Sequence, residues 1–552
     1  MPHLCVRFSS SKRFFMNMRH LALIAATFIF FLSGVNAQQA TAPPYKLADP
    51  TPYAALIQPE TLKQWLDVLA SKEMEGRETG ERGQQRAAEF IAAQFKSMGL
   101  PPVADRNTYF QQIRLKNESW TEIGLQVGDQ TFKNRADFYV FPSFNPDNPL
   151  TKLKEVVFVG YGVDDPKYSD YGKENVKGKA VLFYNGEPLN NEGKSLITGS
   201  EFRSDWALNW QKKVQKAKEK GAIIAFIVDN NLAESVKSNR KLISSYGWKP
   251  VSSNADAQTN QYINNVFISP EVAAAILGGK AGEVEEAVAS MKQGSGFKPF
   301  SIKRKMELRL DKETKIIQGS NVVGFIEGID PVLKNEYVFV TAHYDHLGMP
   351  DSTVVYYGAD DNASGTCGVM NIAKAFAEAK NAGMGPKRSV VCMLVSGEEK
   401  GLLGSKFYVD FPLFPLNQTM ADINIDMIGR VDEAHKDKPD YVYVIGSDRM
   451  STELHTISEK ANQTYTKLEL DYKYNAKDDP NHFYERSDHY NFAENGVPAI
   501  FYFNGTHPDY HRPTDTADKI NFNALAKRAQ LAFYTAWDIA NRPWRLTVDV
   551  KK

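Results

Sequence analysis

The stretch Tyr337-Val-Phe-Val-Thr-Ala-His-Tyr-Asp-His346 begins as an almost unbroken apolar run and ends in ionisable side chains. So continuous a run reads as a strand covered on both faces, the form strands take inside a parallel sheet. Working outward, Val390-Val-Cys-Met-Leu-Val395 is a second such run and ends in Ser396-Gly-Glu-Glu399. Ala421-Asp-Ile-Asn-Ile425 ends at Asp426, and Ala499-Ile-Phe-Tyr-Phe503 precedes His507 and His511. Asp361 precedes a helix whose Val369, Ile372, Ala373 and Phe376 share one face. From about Lys303 the chain therefore alternates strand and helix in the manner of a parallel α/β sheet.

Open sheets of this kind bind ligands at the C-terminal ends of their strands. Four strand ends here deliver histidines and carboxylates from distant parts of the chain, which points to one shared site. Imidazole and carboxylate without thiolate suit zinc, with manganese or cobalt as substitutes. In His343-Tyr-Asp345-His346, the acid two residues on can sit behind the imidazole and fix its tautomer; a loop with a salt bridge is the plainer alternative. Glu398 and Glu399 leave one strand end in different directions, so one can hold metal while its neighbour faces a water. An isolated Glu-Glu pair is ordinarily surface decoration, but this pair follows a buried strand and Gly397.

Composition sets the wider frame. The 552 residues are 42% hydrophobic and carry 66 basic and 66 acidic side chains, enough for two or three globular cores and with no net field favouring nucleic acid. Lys12, Arg13 and Arg19, the apolar run Leu21 to Leu32, and Ser33 to Ala37 read as a signal peptide, residues 1–37, exporting the chain to the periplasm or beyond. That run is shorter than the ~20 residues of a membrane helix, so no stable span is expected. Cys367 and Cys392 sit in apolar segments and read as buried small side chains, with a disulfide as the minor alternative. Helices are expected near Thr61 to Ala70 and Gln84 to Met98, and a separate β-rich region from Glu155 to Pro299.

The segments Ala342-His-Tyr-Asp-His-Leu-Gly348, Gly358-Ala-Asp-Asp-Asn-Ala-Ser-Gly365, Gly397-Glu-Glu-Lys-Gly-Leu-Leu-Gly-Ser405 and Asn424-Ile-Asp-Met-Ile-Gly429 resemble the co-catalytic two-zinc exopeptidase family. That family includes bacterial leucyl aminopeptidases, glutamate carboxypeptidase and the transferrin receptor. The region 140–299 resembles the protease-associated domain such enzymes often carry. The resemblance implies a mixed, mostly parallel sheet flanked by helices: residues 38–139 a linker and the first part of the peptidase domain, 140–299 an insertion, and 300–545 the catalytic domain. It also implies two zinc ions per chain. His343 and Asp426 would hold one, Glu399 and His511 the other, and Asp361 would bridge, with Asp360 as the rival. Glu398 matches the general base, Asp345 the orienter of His343, and Tyr510 an oxyanion-stabilising tyrosine. Ser487-Asp488-His489 matches a segment near the substrate without a defined role, and His435, His482 and His507 are taken as structural or surface. The implied activity is aminopeptidase action on peptides with a free N-terminus. A carboxypeptidase, with Arg430, Arg486 or Arg512 as carboxylate partners, a glutaminyl cyclase and a non-catalytic receptor are the alternatives.

Overall fold

The computed structural model of the protein describes residues 47–244, 247–251, 262–293 and 298–550. The expected signal peptide lies outside the described residues. Helix α1 (Pro59–Leu69) and helix α2 (Arg82–Ser97) come first. Each buries one stripe, Leu62, Leu66 and Leu69 in α1 and Ala87, Ile91 and Phe95 in α2, at the three-to-four spacing of an amphipathic helix. There follow β1 (Phe110–Val127), β2 (Asn148–Phe158), β3 (Ala180–Tyr184), β4 (Ile224–Val228) and β5 (Asn264–Ile268). The chain then forms β6 (Phe300–Ile326), β7 (Tyr337–His343), α3 (Gly365–Asn381), β8 (Ser389–Val395), α4 (Leu403–Asp410) and β9 (Thr419–Ile425). Last come β10 (Tyr441–Ile445), β11 (Ala499–Phe503) and α5 (Phe522–Asn541).

Among the described residues one sheet of fifteen strands runs through the protein, with β10-β11-β9-β7-β8-β6-β2-β3-β4-β5 as its central order. The pairs β7–β8, β7–β9, β9–β11, β2–β3, β3–β4 and β4–β5 are parallel. Strands β1, β2 and β8 each pair antiparallel with β6. The fold is thus the expected mixed, mostly parallel sheet with helices packed on it. β7, β8 and β9 bury nearly every residue, which is why their sequences show continuous apolar runs rather than alternation.

Strand β6 holds the two halves together. Its first part pairs with β2 (Phe300 opposite Phe158), and its last part pairs with β8 (Val322 opposite Leu394). β1 lies along it from Phe110 opposite Val322 to Val127 opposite Met306. On one side a core forms around Val340, Val369, Phe376, Ile425 and Trp537. On the other, Phe158, Leu182, Phe226, Ile268 and Leu308 form a second core. Helices Trp210–Glu219, Pro270–Leu277 and Ala281–Lys292 belong to that second half. Cys367 in α3 and Cys392 in β8 are both buried and free, so they serve as small apolar side chains. No described helix is long and apolar enough to cross a membrane.

Candidate metal centre

The C-terminal ends of β7, β8, β9 and β11 lie side by side and bring the site together. His343 is the last residue of β7, Glu398 and Glu399 follow β8, Asp426 follows β9, and His511 stands on the loop after β11. Asp361 enters from the turn before α3.

Asp361 is the centre of the arrangement. Its Oδ1 is 3.4 Å from His343 Nε2 and its Oδ2 is 3.1 Å from His511 Nε2. His343 Nε2 is also 3.3 Å from Asp426 Oδ1, and His511 Nε2 is 3.3 Å from Glu399 Oε2. Each imidazole therefore faces Asp361 and one further carboxylate. Glu398 Oε2 stands 3.9 Å from His343 Nε2, nearer the first group than the second. Asp360 is turned elsewhere: Oδ1 accepts the Gly429 N–H at 2.7 Å, while Oδ2 accepts from Asn504 Nδ2 at 3.1 Å. His507 Nε2 lies 3.2 Å from that same Oδ2, so His507 is a buried partner of Asp360.

The contact behind His343 differs from the sequence expectation. Its Nδ1 is 3.2 Å from the carbonyl oxygen of Asp345 and 3.8 Å from the carboxylate. Donation to that carbonyl fixes the proton on Nδ1 and leaves the Nε2 lone pair facing the site. The Asp345 carboxylate is drawn aside by the Thr79 hydroxyl, which donates to it at 2.8 Å, and by the Glu398 N–H at 3.3 Å.

Several supporting residues have roles that the sequence did not assign. His346 Nδ1 lies 2.8 Å from Glu399 Oε1, so the other Glu399 oxygen is the one that faces His511. Gly358 has φ +56°, and a Cβ there would lie 2.5 Å from the His346 ring, so the position requires glycine. Ser487 donates to Asp426 Oδ2 at 2.7 Å and accepts from Asn424 Nδ2 at 2.7 Å. Asp515 Oδ2 accepts the N–H groups of Asp360 and Asp361 at 3.0 and 3.1 Å. The buried Arg77 guanidinium donates to the carbonyls of Tyr344, Tyr357 and Gly358, each at 2.8 Å, pinning two site loops together. His346, Gly358 and Ser487 had a signal in their motif segments without a defined role; Asp515 and Arg77 lie too far along the chain from their partners for spacing to reveal them.

The electrostatics show what the site wants. Burial opposes charge on His343, yet Asp426 and Glu398 hold its imidazolium well above the usual range. Against the same burial, hydrogen bonds donated by its ring to Asp361 and Glu399 raise His511 to about 10. Burial, reinforced by Glu399 and Asp426, pushes Glu398 well above the ordinary carboxyl range. Four carboxylates thus draw positive charge into one pocket. Donor atoms of His343, Glu398 and Asp426 lie within 4.8 Å of one another, and so do those of His346, Asp361 and Glu399. Both clusters combine imidazole nitrogen with carboxylate oxygen, a donor set suited to zinc; the second contains His346 and not His511.

Residues 321–536 match the profile described as Peptidase family M28. A probable leucine aminopeptidase of Arthroderma otae is 28% identical to the chain over 221 residues, 39% of this chain and 57% of that relative. A vacuolar membrane protease of Tuber melanosporum is 30% identical over 111 residues, 20% of this chain and 11% of that relative. The chain thus spans little more than half of the first relative's length and a ninth of the second's. Among solved structures, an aminopeptidase from Aneurinibacillus sp. strain AM-1 is 18% identical with a TM-score of 0.46, the match covering 91% of this chain and 99% of that one. A zinc aminopeptidase from Bacillus subtilis is 18% identical with a TM-score of 0.43, covering 88% and 96%. His343, Asp361, Glu398, Glu399, Asp426, Tyr510 and His511 all lie within the matched residues.

Proposed function

We propose that the protein is a two-zinc aminopeptidase, and the observation that carries this reading is Asp361, whose two oxygens each face a different imidazole. His343 and Asp426 would hold one zinc, His511 and Glu399 the second, and Asp361 both. Bound zinc would supply Lewis-acid polarisation of a water and of the scissile carbonyl. Glu398, on the wall of the site's cavity and 3.9 Å from His343 Nε2, would take a proton from the attacking water and return it to the leaving nitrogen. Tyr510, on the wall of the same cavity, would donate its hydroxyl to the carbonyl oxygen as charge develops there.

The surplus of carboxylate suits a substrate ammonium group. Of the three arginines suggested as carboxylate partners, Arg430 is engaged by Asp509 at 3.0 Å. Arg486 lines the cavity and donates to Tyr510. Peptides with a free N-terminus are therefore the expected substrates. A short peptide should be trimmed from its amino end, N-acetylation should abolish cleavage, and C-terminal amidation should not. Cleavage of the acetylated peptide together with failure on the amidated one would reverse the assignment to a carboxypeptidase.

A further inference from the structure

Arg486 and Tyr510 come from different loops and meet on the wall of the cavity that also holds His343, Asp361, Glu398 and Asp426. Arg486 Nη2 donates to the Tyr510 hydroxyl oxygen at 3.2 Å. The guanidinium rests on the ring of the buried Phe483, 4.9 Å from its centroid. Its backbone is held as well. The Arg486 N–H donates to the Phe483 carbonyl at 3.2 Å, and the next residue, Ser487, is bonded to Asp426. Among the described residues Arg486 has no carboxylate partner, and the Tyr510 proton has no acceptor.

We propose that Arg486 is a positioning residue for Tyr510, filling the acceptor side of the hydroxyl so that its proton is committed to the cavity. The inference rests on the reading of Tyr510 given above. A guanidinium has five donors and no acceptor, so towards Arg486 the phenol can only accept. Its single O–H must then point elsewhere. The Tyr510 ring, stacked on His511 at 3.9 Å and 25°, restricts where that can be. The adjoining cation polarises the O–H bond, and a negative charge growing on the substrate oxygen becomes its first strong acceptor. The competing role for Arg486 is direct recognition of a substrate carboxylate by its planar fork.

The test is a double-mutant cycle on the zinc-loaded full chain, comparing Arg486→Gln, Arg486→Lys, Tyr510→Phe and the double variant. Two peptides serve as substrates, one amidated and one with a free C-terminal carboxylate. Metal content and the affinity for a phosphonate dipeptide analogue are measured alongside. Tyr510→Phe should lower kcat about 10²-fold. Arg486→Gln should lower it about tenfold, Arg486→Lys less, and the double variant should be no slower than Tyr510→Phe alone. Phosphonate affinity should follow the same non-additive pattern, with KM and metal content little changed. Equal cost of Arg486→Gln in the wild-type and Tyr510→Phe backgrounds would overturn the proposal, as would loss of metal. An effect confined to KM for the carboxylate substrate would instead assign Arg486 to substrate recognition. Wild-type kcat in Tyr510→Phe would overturn the role of Tyr510 itself and this proposal with it.

Discussion

On one side of β6 lie the parallel strands β7, β8, β9 and β11, and on the other lie β2, β3, β4 and β5. Both arrays have buried acidic residues near them, but the acids are used differently. In the second array Glu187 accepts from the N–H of Ser204 at 3.0 Å and also from its hydroxyl. Asp229 accepts the Tyr139 hydroxyl at 3.1 Å and the Asn231 N–H at 2.9 Å. Asp170 takes the N–H groups of Tyr161 and Val163, each at 3.0 Å, and the Tyr168 hydroxyl at 2.7 Å. These carboxylates are satisfied by nearby donors, as buried acceptors generally are. In the first array Asp361, Glu398, Glu399 and Asp426 face imidazoles and one another. No histidine occurs between His20 and His343, so the second array has no such partners to offer. Parallel topology provides a place for a site, and acceptor capacity left over after folding determines whether one forms.

The sharpest test of the contrast is metal removal. Treatment with 1,10-phenanthroline should reduce peptide hydrolysis to background, and zinc should restore it, with close to two ions bound per chain by mass spectrometry. Full activity in rigorously metal-free protein would remove the chemical distinction between the arrays. Next in size is Glu398→Gln, expected to lower kcat by roughly 10²–10⁴-fold with metal retained. Glu399→Gln should lose metal instead. If the two variants lose metal equally and share one kinetic profile, the division between base and ligand is wrong.

A smaller effect concerns pH. Burial against the rings of Phe501 and Tyr484 holds His489 down to about 3, well below the ~6.5 of a free imidazole. As pH falls the unfolded chain takes up this proton first. The stabilisation is full above pH ~6.5 and is lost between there and about 3, by a few kcal/mol at most. His489→Gln should flatten the fall in urea-unfolding free energy between pH 7 and 4.5, and an unchanged slope would show that His489 does not cause it. Smallest of all is Asp229→Asn in the second array. It should leave kcat within about twofold and cost about 1 kcal/mol of stability. A kinetic loss approaching that of Glu398→Gln would erase the contrast.

The strand ends that build the site were legible because each combines a buried run with an abrupt ionisable ending. The runs before His343, Asp426 and the Glu398–Glu399 pair all became strands at nearly the expected positions. β1 was not legible. Gln111, Gln112, Arg114, Lys116 and Asn117 break its apolar content, and much of the strand's length is only partly buried. The extent of β6 was hidden as well, since the polar stretch Lys312 to Lys315 looks like a connection until β1 is seen to pair through it. At the site, Met427 and His511 both adopt left-handed backbone, at φ +55° and +56°. Such conformations cost non-glycine residues roughly 1–2 kcal/mol and are set by tertiary contacts rather than local propensity. The same holds for Thr79, whose partner Asp345 lies 266 residues away.

Strand β6 has one further consequence, for what the protein can lose. Its first part carries Ile302, Met306, Leu308 and Leu310, all buried in the second core. Deleting residues 140–299 would leave the array that carries the site intact in sequence, but it would strip that stretch of β6 of its cover and of its pairing with β2. The result would be a long apolar edge, a ready template for strand addition between molecules. Whatever it does for substrates, the second half of the protein covers that edge, and removing it should make the first half prone to association.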